Sequence, residues 1–156
     1  MPSAKKNDGG RFCVRFLSPQ RLLTRRAIIR LLRLLDQEGR CPSGPVTVVV
    51  AGTARMRGLN RRFHARDTAT DVLAFDLGAP APQGGRRADI VVNASRARAQ
   101  ARLRGIPAAE ELARYVIHGV LHLCGHDDRA PAARNRMWRR QEELLALAVR
   151  KRLLHR

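Results

Sequence analysis

Two histidines one helical turn apart, followed by a glycine and two aspartates, constrain this chain more than any other feature. The stretch is His118-Gly119-Val120-Leu121-His122-Leu123-Cys124-Gly125-His126-Asp127-Asp128. Residues four apart on a helix lie one above the other, so His118 and His122 face the same way and can offer two imidazoles to one metal ion. Gly125 suits a helix stop, because glycine tolerates the left-handed conformation that closes many helices. Past that stop the chain can fold back and bring a third ligand, His126, Asp127 or Asp128, toward the pair. A lone histidine on a helix is more often a core residue than a ligand. Here three of the five histidines fall between His118 and His126, and the pair is followed by a turn glycine and carboxylates, which points to a metal.

The helix that carries the pair starts near Pro107, a residue suited to the first turn, with Glu110 and Glu111 placed to complement the positive end of its dipole. Leu112, Val116, Val120 and Leu123 form one apolar face, with Ile117 and Leu121 beside it. Such a helix is largely buried, and Glu111, Tyr115, His118 and His122 form its polar stripe. Upstream, Arg11 to Leu17 alternates as a half-buried strand, Pro45 to Ala51 is an apolar strand, the stretch ending at Phe75 is a third, and Ala88 to Asn93 a fourth. Helices are expected from Ser18-Pro19 to Gly39, from Thr53 to Phe63, from Asn93 or Ser95 to about Leu103, and from Pro131 to Leu154 with Trp138, Leu144, Leu145 and Leu147 as anchors. Gly78 to Arg87 reads as a flexible connection or hairpin. This order predicts an α+β fold with a mixed sheet in one domain over 11–156, preceded by a loose basic tail over 1–10.

The chain has 156 residues with a formal net charge of +18. Such an excess of positive charge points to nucleic acid or another anionic surface as partner. Cys13, Cys41 and Cys124 are odd in number and form no Cys-x-x-Cys pair, which argues for a reducing, cytoplasmic setting and against a disulfide scaffold. Cys124 is expected to pack in the core rather than to bind metal. No apolar run approaches the roughly 18 residues of a membrane span. With one Trp, one Tyr and four Phe, a large base-stacking platform is not expected, and a nucleic acid would be held mainly through phosphates.

His118, His122, Gly125 and Asp128 follow the spacing of the metzincin protease motif H-E-x-x-H-x-x-G-x-x-H. The protease's general base follows its first histidine, and this chain has Gly119 there, with no side chain to take a proton. The whole stretch resembles instead the H-G-x-L-H-L-x-G-[YH]-D-H signature of the YbeY family of bacterial endoribonucleases. Met56-Arg57-Gly58-Leu59-Asn60, then Asp67 and Thr70-Asp71-Val72-Leu73-Ala74-Phe75, and Asp89-Ile90-Val91 resemble further blocks of that family, in family order.

The resemblance implies a zincin-like α+β domain with a mixed sheet of about four strands and its metal site on a buried helix. It implies one zinc ion and metal-dependent cleavage of single-stranded RNA in the cytoplasm. The work implied is maturation of the 3′ end of 16S ribosomal RNA and ribosome quality control, with the small ribosomal subunit as partner and neither DNA nor membrane. The metal ligands are then His118, His122 and Asp128. Asp128 stands where the family has histidine, and His126 is the second choice for that role. Aspartate is an acceptable zinc ligand whose charge lowers the ion's Lewis acidity. A family arginine tied to cleavage falls at His64, so His64, Arg62 and Arg66 join His118 as catalytic candidates, with Arg61 another source of the missing cation. Thr70 and Asp71 are expected to end a loop before a strand. Asp71 has the lesser alternative of orienting a ligand histidine. The competing reading is a non-catalytic RNA-binding assembly factor whose zinc is structural.

Overall fold

The computed structural model describes residues 10–80 and 85–155. Strands β1 (Phe12–Phe16), β2 (Val46–Ala51), β3 (Val72–Pro80) and β4 (Arg86–Asn93) form one sheet in the order β1-β2-β4-β3. β1, β2 and β4 run parallel, and β3 lies antiparallel to β4 as an edge strand. Val48 to Ala51 is a continuous apolar run, as expected for β2, a central strand between two parallel neighbours. The register places Val14 beside Val48 and Val48 beside Ile90, so one face carries a row of buried aliphatic side chains.

Five helices cover the sheet: α1 (Arg25–Gln37), α2 (Thr53–His64), α3 (Ala94–Arg104), α4 (Ala108–Leu123) and α5 (Pro131–Arg150). The main core joins Val14, Val48 and Ile90 to Leu31, Leu32 and Leu35 of α1, Val116 and Val120 of α4, and Leu144 and Leu145 of α5. Each such buried side chain contributes about 1.5–3 kcal/mol. A smaller core on the opposite face joins Ala51, Leu73 and Val91 to Met56 of α2. The architecture is the mixed-sheet α+β fold that the order of elements predicts. Residues 1–9 of the expected basic tail, and 81–84 of the expected connection, lie outside the described residues. The flanking segments pair as the hairpin β3–β4.

Two expected boundaries move. α1 begins at Arg25, not at Ser18-Pro19, because Thr24 caps it by accepting a hydrogen bond from the Ala27 N–H at 3.1 Å. Ser18 is engaged elsewhere: its hydroxyl accepts from Gln20 N–H at 3.1 Å, and its own N–H donates to the Val50 carbonyl. α5 ends at Arg150, with a short turn after it that returns Leu154 to the core. Two packing expectations also fail. Met137, Leu144, Leu145 and Ala148 anchor α5, and Trp138 points outward. Cys124 is exposed, its thiol reaching the Arg40 carbonyl at 3.1 Å. All three cysteines are free thiols. Among the described residues no helix is long and apolar enough to cross a membrane.

Candidate metal centre

α4 lies close against the sheet because Gly119 faces it. A Cβ at that position would stand 2.7 Å from Ile90 Cγ2 and 3.0 Å from Val72 Cγ2. The position that carries the general base of a protease therefore points into the core, and no glutamate fits there. His118 and His122 project from another side of the helix. α4 ends in a Schellman motif: the Gly125 N–H donates to the His122 carbonyl and the His126 N–H to the Leu121 carbonyl, with Gly125 at φ 88°. This reversal turns the chain so that Asp128 comes back over the pair.

The donor atoms lie close together. His122 Nε2 is 3.1 Å from His118 Nε2, and Asp128 Oδ2 is 3.5 Å from His122 Nε2 and 3.8 Å from His118 Nε2. Ligand bonds of about 2.1 Å in tetrahedral geometry place donors about 3.4 Å apart, so the observed spacings fit a single ion of that kind. Two imidazoles and a carboxylate are also a suitable donor set, and His118, His122 and Asp128 could hold a metal. His126 stays outside this group.

The structure fixes which nitrogen of His118 is free for a metal. Arg114 forms a two-pronged pair with Glu142, Nε to Oε1 at 2.7 Å and Nη2 to Oε2 at 3.1 Å. The Glu142 carboxylate can only accept, and it takes a hydrogen bond from Gln141 Nε2 at 3.2 Å. That leaves Gln141 Oε1 facing His118 Nδ1 at 2.7 Å, so Nδ1 must be the protonated nitrogen. The lone pair of His118 then sits on Nε2, the atom directed at His122 and Asp128. Burial lowers the His118 pKa, and the Gln141 bond opposes this without reversing it; His122 adds to the lowering. The neutral imidazole is the form that binds metal. Gln141 thus orients His118 from behind, as an outer partner does for a metal-binding histidine, and the sequence gives no local signal for it.

The three donors open into a pocket of about 630 Å³ whose lining includes Asp71, Arg96, Arg104, Arg114, Trp138 and Gln141. Its arginines are paired with acids: Arg96 with Asp71, Arg104 with Glu111 at 3.1 Å, and Arg114 with both Glu111 and Glu142. Asp71 thus faces Arg96 rather than a ligand histidine. Asn93, fully buried, holds this side in place: it caps α3 through Arg96 N–H at 3.1 Å and donates to the Thr70 carbonyl at 3.2 Å. Arg62, His64 and Arg66 do not line the pocket. They sit at and just beyond the end of α2, where the His64 ring lies nearly parallel to Phe75 with centroids 6.1 Å apart. The pocket's own cations, Arg96, Arg104 and Arg114, were not among the sequence candidates.

Residues 20–148 match the family model described as Endoribonuclease YbeY. The chain belongs to the YbeY family. A relative named Endoribonuclease YbeY from Thermus thermophilus is 37% identical over 139 residues, covering 86% of this chain and 97% of its own length. One of the same name from Solibacter usitatus is 40% identical over 112 residues, 72% of each chain. Another, from Anaeromyxobacter sp., is 37% identical over 124 residues, and the alignment spans 80% of this chain but only 64% of that relative's length. The fold is similar to the solution structure of a Thermotoga maritima protein, with a TM-score of 0.55, 26% identity, and coverage of 86% and 88% of the two chains. Seen as YbeY-family blocks, Met56 and Asn60 are structural here. Met56 fills the smaller core, and buried Asn60 donates to the Thr68 carbonyl at 2.8 Å. Asp67 closes the same loop against Arg57 and Arg61, at 3.0 and 2.9 Å.

Proposed function

We propose that this chain is a metal-dependent endoribonuclease that cuts single-stranded RNA, with a zinc ion held by His118, His122 and Asp128. The observation that carries this reading is the set of three donors, at the spacing one tetrahedral ion requires, opening into a pocket in a chain whose relatives are named endoribonucleases. When bound, zinc supplies Lewis acidity toward a phosphate oxygen and lowers the pKa of water.

The protein's part is to prepare the site and to hold the substrate. The Gln141 bond keeps the His118 lone pair on Nε2. Arg96 and Arg104, each about half exposed, line the same pocket and are placed to receive a phosphate and the charge that develops on it. Arg62, His64 and Arg66, at and just beyond the end of α2, are assigned to the RNA backbone. A carboxylate as third donor leaves the ion a weaker Lewis acid than a third imidazole would. The substrate we assign is the 3′ region of 16S ribosomal RNA, on the small ribosomal subunit in the cytoplasm, with a part in ribosome quality control.

The assembly-factor reading requires a structural site closed by a fourth protein donor, and among the described residues the group has three. The test is a parallel digestion of a single-stranded RNA, the same RNA annealed to its complement, and DNA of the same sequence. Cleavage confined to single-stranded RNA is expected. Equal attack on the duplex or on DNA counts against the proposal.

A further inference from the structure

Trp138 is the only tryptophan in the chain, and 60% of its surface is exposed. α5 does not need it for packing, since Met137, Leu144, Leu145 and Ala148 fill the core from that helix. An indole left in water forgoes a large apolar burial, so its position calls for a physical reason. Its surroundings supply one. Trp138 lines the metal pocket with His118, His122, Asp128 and Gln141. It lies one helical turn before Gln141, the residue that holds His118. It therefore stands on the rigid element that also supports a metal ligand. Exposed Arg136 and Arg139 flank it in sequence, and Arg134, one turn earlier, donates to the Asp128 carbonyl at 3.0 Å.

We infer that Trp138 is a base-stacking platform: with a phosphate of the RNA at the metal, the base of a neighbouring nucleotide lies on the indole face. This rests on the ribonuclease reading and deepens it. A stacking surface tolerates any base, because every base has a π face. It does require a free face. In a duplex both faces of each base are covered by its neighbours, so the platform favours single-stranded RNA through a property of the site itself. The polar, arginine-lined pocket suits a nucleotide rather than a lipid or an apolar peptide.

The single indole makes the test direct. The full chain is mixed rapidly with single-stranded RNA, so that binding is read before cleavage. Indole emission and the anisotropy of a labelled RNA are followed together, for wild type, Trp138→Leu and Trp138→Phe. Quenching of the wild-type indole with the same midpoint as the anisotropy is expected. Trp138→Leu keeps apolar bulk but loses the aromatic face, and should bind about 5- to 150-fold more weakly. Trp138→Phe should recover most of that loss. The salt dependence should keep its slope, because no phosphate contact is removed. An abasic oligonucleotide of the same length should bind wild type and Trp138→Leu alike. Wild-type binding with unchanged indole emission, or equal affinity of wild type and Trp138→Leu for ordinary RNA, overturns the stacking role alone. Wild type that neither binds nor cuts RNA removes the ribonuclease reading and this inference with it.

Discussion

Gln141→Leu separates a residue that merely fills space from one that prepares a metal ligand. In the native protein His118 Nδ1–H donates to Gln141 Oε1 at 2.7 Å, and Gln141 is only 6% exposed. Leucine has similar bulk, offers no acceptor and admits little water in its place. A buried N–H left without a partner costs about 1–3 kcal/mol. The metal-free protein can escape much of that cost by moving the proton to Nε2, which faces the open side of the site. That tautomer presents no lone pair to a metal. Binding must then return the proton to Nδ1, so the penalty falls on the metal-bound form. Zinc affinity should drop about 10- to 100-fold, or roughly 1.4–2.8 kcal/mol. Competition titration against a chromogenic chelator measures this, with circular dichroism to show an unchanged fold. Gln141→Glu, which restores an acceptor, should bind more tightly than the leucine variant. Zinc affinity equal to wild type in Gln141→Leu would refute the tautomer argument.

Gly119→Ala places a methyl group 2.7 Å from Ile90 Cγ2 and 3.0 Å from Val72 Cγ2. Overpacking costs about 1–3 kcal/mol and the gain in helix propensity returns about 1 kcal/mol, so a lower melting temperature is expected and an unchanged or higher one counts against the close packing. Glu142 supplies a pH dependence. Burial opposes its ionisation, but hydrogen bonds from Arg114 and Gln141 outweigh burial and hold its carboxyl below the usual range. In the window between its folded and unfolded pKa the unfolded chain binds more protons. Its contribution is therefore complete above about pH 4.3 and lost as pH falls through the folded value. Glu142→Gln should flatten that part of the stability profile, and identical profiles would contradict the assignment. Asp128→His exchanges the carboxylate for a third neutral donor. It should retain one zinc and cleave RNA faster than wild type, as read by metal content and initial rates; loss of the metal would show that the loop is built for aspartate.

The features legible in the sequence are those set by local periodicity. The i, i+4 spacing of His118 and His122, the apolar face of α4 and the glycine that ends it all lie within one short stretch, and the structure keeps them as read. The strands were legible because β1 alternates Phe12, Val14 and Phe16 against polar neighbours, while β2 and β4 carry valine and isoleucine runs bounded by turn residues. The features that were not legible depend on which helix docks where. Gln141 is 23 positions from His118 and meets it only because α5 packs beside α4. Arg96 finds Asp71 across the β4–α3 junction. Trp138 sits next to Met137, and composition alone does not tell which of two adjacent apolar residues a helix buries. Ser18 followed by Pro19 has the form of a helix start, but the hydrogen bonds that tie Leu17 and Ser18 to Val50 keep α1 from starting there.

Cleavage of a single-stranded RNA by the purified chain, with chelator, with zinc restored, and beside His122→Ala prepared in parallel, tests the central claim most directly. Cleavage by wild type should be lost with chelator, recovered with zinc and absent in the variant. Equal cleavage by wild type and His122→Ala, or none from wild type shown to hold its zinc, would contradict that claim.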